Sequence, residues 1–170
     1  MRRLFVIGLV VFASLSAIAQ TSAATANFSA VIHLDFEGAS PSKPCPLDPT
    51  TTCDVGQIAG YGQVVQEFTL VDFVEVDGCS ETTGDVLWTL VDDPASTFMT
   101  HEVYTECSPG RSADAPDSER AFGNPFKGKG TFVISAGTGV FAGASGDGTL
   151  YTRAGGDVYN LRYAGTITTP

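Results

Sequence analysis

The stretch GTGVFAGASGDGTLYTRAGGDVYNLRYAGTIT, residues 137–168, holds eight glycines in thirty-two residues, set between short runs of aromatic and β-branched side chains. Gly137–Thr138–Gly139 invites a phosphate-loop reading. Such a loop needs a helix to begin at once, so that free N–H groups and the helix dipole meet the anion. Here VFAGASGDGTLYT follows, which breaks any helix, and no Walker-type lysine is present. The glycines therefore read as devices for turning chain. They supply positive φ between antiparallel strands, and within strands they allow the tight bends of barrel corners.

Outward from this stretch the dominant period is two. In residues 27–38, Phe28, Ala30, Ile32, Leu34 and Phe36 alternate with Ser29, Val31, His33, Asp35 and Glu37, the pattern of a half-buried strand. GQVVQEFTLVDFVEV (62–76) reads as a longer strand without a clean face. GDVLWTLVDD (84–93) and STFMTHEVYTEC (96–107) flank a DDPA turn and read as a hairpin. GKGTFVISAG (128–137), GDGTLYTRAG (146–155) and GDVYNLRYAGTIT (156–168) are three more, and a short strand is expected near RAFGNPF (120–126). No window carries the three-four spacing of a helix longer than a turn or two. Seven or eight strands with Gly-rich turns predict an all-β sandwich or barrel. Closure into a barrel removes the exposed edge that an open sheet would leave.

The chain opens MRRLFVIGLVVFASLSAIAQTSAATA: two arginines, an apolar run, then small residues. This is the pattern of a secretory signal peptide over residues 1–24, too short in its apolar part to be a membrane span. It predicts a secreted protein, extracellular or periplasmic, with no membrane span. Residues 25–170 then form a single barrel domain. Loss of Arg2 and Arg3 takes the formal charge from −10 to −12, which argues against nucleic acid and anionic membrane surfaces as partners. Cys45, Cys53, Cys79 and Cys107 are even in number and lack zinc-ligand spacing, so they read as two disulfides. Cys45 and Cys53 lie within a proline- and threonine-rich gap, 38–60, read as a loop stapled by their bond. The second pair, Cys79–Cys107, follows independently from the hairpin. A turn centred between Pro94 and Ala95 sets position 107 opposite about 82, near Cys79.

GKGTFVISAGTGVFAGASGDGTL followed by YNLRYAGTIT is similar to the C-terminal half of the dirigent and allene-oxide-cyclase-like barrels. The shared segment is Gly137, Thr138, Gly139, Phe141, Gly143, Ala144 and Gly146, with the Gly-Thr-Ile close of the last strand. The resemblance covers about forty residues and implies an eight-stranded antiparallel, calycin-like barrel with a central cavity. It also implies a homo-dimer or homo-trimer. Plant members steer or cyclise small hydrophobic molecules. The family's catalytic acids and arginines lie outside the shared segment and are not carried over.

No catalytic signature is present: there is no G-x-S-x-G elbow, and only two histidines. His33, Asp35 and Glu37 share a strand face, but same-face neighbours stand too far apart for all three to bind one ion. No metal or cofactor is expected. His101 and Glu102 point to opposite faces and cannot act as a pair. In the last strand Tyr159, Leu161, Tyr163 and Ile167 share one face, and Val158, Asn160, Arg162 and Ala164 the other. The candidate ligand-binding residues are Trp88, His101, Tyr159, Arg162 and Tyr163. Three readings follow: a secreted non-enzymatic barrel binding a small apolar ligand or a partner; an isomerase or cyclase acting in the lumen; and a structural surface-interaction module with a filled core.

Overall fold

The computed structural model describes residues 23–37, 40–41, 44–107, 126–155 and 158–170. Most of the expected signal segment, and RAFGNPF apart from Phe126, lie outside these residues. The strands are β1 (Ala24–Glu37), β2 (Ser40–Pro41), β3 (Asp54–Ile58), β4 (Gly62–Val76), β5 (Cys79–Leu90), β6 (Thr97–Cys107), β7 (Phe126–Gly137), β8 (Ser145–Gly155) and β9 (Val158–Thr169). All pairings are antiparallel. β1 pairs with β3 on one side and with β9 on the other, from Ala24↔Thr169 to Asp35↔Val158, so eight strands close into a barrel. The two-residue β2 only extends the end of β1. The sole helical element among the described residues is a 3-10 turn, Gly139–Phe141.

The eighth barrel strand is β3, inside the gap read from sequence as a loop. DVGQI is too short and too interrupted by Gly56 to show a period. It forms because β1 and β4 both offer it hydrogen bonds. Gly56 is required there, since a Cβ would stand 2.4 Å from the Val31 carbonyl oxygen. The loop from 45 to 53 is stapled as expected by Cys45–Cys53, helped by the Asp48 carboxylate, which accepts from Thr50 N at 3.0 Å and Thr50 Oγ1 at 2.7 Å.

The second disulfide, Cys79–Cys107, is also present, and the two residues face each other directly across β5 and β6. The register is shifted by three residues from the sequence reading. Trp88 faces Phe98, which centres the connection on Asp93. Ser96 sets this turn: its N–H donates to the Asp93 carbonyl at 2.8 Å and its hydroxyl to the Asp93 carboxylate at 2.5 Å. At the far end of β5, Asp77 and Gly78 both hold positive φ, 52° and 76°, as a two-residue hairpin turn with matching twist demands.

The glycines of 137–146 act on the backbone in two ways. Gly139 and Gly143 hold φ of +56° and +70°, where other residues are strained. Gly137 and Gly146 have ordinary φ, but a Cβ at either would stand 2.1 Å from a carbonyl oxygen, that of Phe141 or Thr166.

Even-numbered residues of β5 to β8 and odd-numbered residues of β9 face inward. The lower half of the lumen, nearest the 3-10 turn, is filled. Trp88 stacks on Phe98 at 5.2 Å, Phe28 packs against Trp88, Phe98 and Phe132, and Phe141 closes the bottom against Phe98 and Tyr61, both at 4.8 Å. These rings bury large apolar areas, and Phe28 meets Trp88 and Phe98 edge to face, as Phe141 meets Phe98, an arrangement that ring quadrupoles favour.

Candidate functional site in the upper lumen

Above the aromatic plug the interior changes character. β6 runs upward and presents Phe98, Thr100, Glu102, Tyr104 and Glu106 in succession to the lumen, so one strand carries the barrel axis from apolar to acidic. Around it stand Gln66 of β4, Thr82 of β5, Thr152 of β8, Tyr159 and Tyr163 of β9, and Asp54 at the top of β3.

Glu102 is 1 % exposed. Its two oxygens collect separate chains of donors. Trp88 Nε1 donates to Thr100 Oγ1 at 2.9 Å, and that hydroxyl donates to Glu102 Oε1 at 2.7 Å. Gln66 Nε2 donates to Tyr163 OH at 3.4 Å, and the phenol donates to Glu102 Oε2 at 3.2 Å. Burial pushes the carboxyl up to about 7, against the opposing pull of Thr100, Tyr163 and the His101 charge. Higher up, Tyr159 OH donates to Glu106 Oε1. Desolvation raises Glu106 as well. It also raises Tyr104, Tyr159 and Tyr163, with the nearby carboxylates adding to the shift. Burial alone lifts Asp54 to about 6. One Asp54 oxygen has no hydrogen-bond partner, and the Thr152 hydroxyl approaches Glu106 and Tyr159 without hydrogen-bond geometry to any described group.

Charge is sorted by face. Lys127, Lys129, Arg153 and Arg162, the lysines and arginines among the described residues, are all exposed on the outer surface. The inward face carries Asp54, Glu102 and Glu106 and, among those residues, no cation. Carboxylates and tyrosine rings are groups that pair with a protonated amine or another hydrogen-bond donor. A Glu–Tyr pair in a water-poor site can also move a proton.

Of the residues singled out from sequence, Trp88, Tyr159 and Tyr163 face the lumen. Trp88 lies in the plug and the two tyrosines in the acidic half. His101 and Arg162 stand on the outer face, exposed. His101 Nδ1 pairs with Asp85 there at 2.7 Å, and His33 Nδ1 bonds Asn160 Oδ1 at 2.7 Å on the same surface. Met99 and Val103, on the same face of β6 as His101, are each 37 % exposed. The inward residues missed were Glu102, Glu106, Asp54, Gln66 and Thr152. The signal that could have found the first two is in STFMTHEVYTEC, where both acids share a face with Phe98 and Tyr104.

The described residues contain no group of three or more His, Cys, Asp or Glu placed to hold a metal, and no helix among them is long and apolar enough to cross a membrane. The chain matches no protein-family model, no curated protein and no solved structure. Fold and site thus define a class, a closed eight-stranded antiparallel barrel with an aromatic floor and an acidic, tyrosine-lined upper lumen.

Proposed function

We propose that this is an exported, non-enzymatic barrel that binds a small amphiphile in its upper lumen, a compact apolar or aromatic body carrying one protonated amine. The observation that supports it most is the sorting of charge: three carboxylates face inward and the described cations face out. Burying carboxylates without cations is unfavourable, and a bound ammonium offsets that cost. Tyr104, Tyr159 and Tyr163 supply ring faces for the charge and apolar area for the body. The resemblance of residues 128–150 and 159–168 to the dirigent and allene-oxide-cyclase-like barrels, whose plant members act on small hydrophobic molecules, supports the same reading.

Calorimetric titration with arylalkyl amines, beside the matching alcohols and carboxylates, tests it. Amines should bind saturably, and more tightly at pH 8 than at pH 5, because the carboxyls must ionise to attract a cation. Glu106→Gln should weaken them by about tenfold. Equal binding of amine and alcohol, or amine affinity that ignores pH, refutes the proposal.

A second reading rests on Glu102 and Tyr163, an acid–base group and a donor 3.2 Å apart in the lumen. In a cyclase or isomerase, Glu102 would take a proton from the bound molecule while Tyr163 donates to the oxygen that gains charge. Exchange of a ligand C–H for deuterium in D2O, lost in Glu102→Gln while binding persists, would favour this reading over simple binding.

A further inference from the structure

β3 pairs with β4 only from Gly62 to Gln66, because it begins at Asp54. β4 continues to Val76 with β5 on one side. On its other side, residues 67–76 have no strand partner among the described residues. Their side chains are exposed on both faces: Phe68, Leu70, Val71, Phe73, Val74 and Val76 are between 42 % and 58 % exposed. A bulge at Val71 shifts the register, Leu70 facing Gly84 and Asp72 facing Thr83. Phe73 thereby returns to the face of Phe68 and Leu70, and the three make an apolar strip beside an open strand edge.

Natural sheets blunt such edges with lysine, proline, bulges or charge. Here the devices are the bulge and acids alone. Glu67, Asp72, Asp77 and Glu81 lie on this hairpin, and no lysine or arginine occurs between Lys43 and Arg111. Two copies pairing through this edge would set acid against acid. A cationic segment meets no such barrier.

We infer that residues 67–76 of β4 form a docking edge for an extended segment of a partner protein that alternates apolar side chains with lysine or arginine. Backbone hydrogen bonds to the open edge supply affinity, Phe68, Leu70 and Phe73 receive the apolar side chains, and the acids select the charge.

The test uses a short extended peptide alternating lysine with valine and phenylalanine, a glutamate version of it, and a composition-matched scramble. Binding is read by fluorescence anisotropy, and strand addition by hydrogen exchange of the 67–76 amides. The lysine peptide should bind saturably and protect those amides, and the other two should not. The surface variant Glu67→Lys/Asp72→Lys, checked for an unchanged thermal midpoint, should weaken the lysine peptide by about tenfold or more and admit the glutamate peptide. Three results overturn the inference: lysine and scrambled peptides that bind alike, binding without protection of 67–76, or protection of 67–76 by self-association of the protein alone.

Discussion

Replacing Glu102 with glutamine should flatten the dependence of stability on pH. In the folded chain this carboxyl keeps its proton up to about pH 7, against an ordinary value of 4.5. Between those limits the unfolded chain has released a proton that the folded chain still holds. Stability therefore falls as pH rises through this window, and the loss is complete above the folded value. A shift of this size is worth ~3 kcal/mol, at about 1.4 kcal/mol per pH unit. Glutamine does not titrate, and its carbonyl still accepts from Thr100. Asp54 and Glu106 are raised too and leave the variant a residual slope of the same sign. Urea unfolding at pH 5 and pH 8, followed through the emission of Trp88, the chain's single tryptophan, measures the difference. The wild-type protein should lose ~2–3 kcal/mol more than Glu102→Gln between the two values. An equal decline in both proteins would refute the reasoning that a buried carboxyl at this site resists ionisation.

Loss of Cys79–Cys107, which closes a loop of 28 residues, should cost ~3–4 kcal/mol, and loss of Cys45–Cys53, which closes 8, about 2–3. Chemical denaturation of the paired serine variants would rank them, and the reverse order would count against loop length as the cause. Gly139→Ala, at positive φ, and Gly146→Ala, against the Thr166 carbonyl, should each lower stability by ~1 kcal/mol or more. Thermal midpoints equal to the parent would show that neither position needs glycine. Trp88 is fully buried, so its emission should be blue-shifted and insensitive to iodide. Thr100→Val, which removes its hydrogen-bond acceptor, should destabilise by ~1–3 kcal/mol, and a neutral outcome would show that the donor chain to Glu102 contributes nothing.

The strand rhythm was legible because it rests on local physics. Period-two alternation, helix-breaking glycine and a polar turn at each strand end depend on near neighbours alone. The same holds for the two disulfides, since one pair is close in sequence and the other closes a hairpin. β3 was not legible, because DVGQI becomes a strand only where β1 and β4 flank it. The hairpin register was off by three residues for a related reason: Ser96 and Asp93 shape the turn through bonds that no period reveals.

The site divides in the same way. The sequence by itself determined that Tyr159 and Tyr163 share a face and that Arg162 lies on the other, and that His101 and Glu102 are opposed, because successive side chains of a strand alternate. It could not determine which face is inside. In β6 both faces carry apolar residues, Met99 and Val103 on one and Phe98 and Tyr104 on the other. Only closure of the sheet decided between them. The rings of Phe98, Trp88, Phe28 and Phe132 interlock when the even face turns inward, and Glu102 and Glu106 are carried into the lumen with them. A pair of buried acids is thus a property of the closed barrel, since their burial depends on strands far apart in the chain meeting around them.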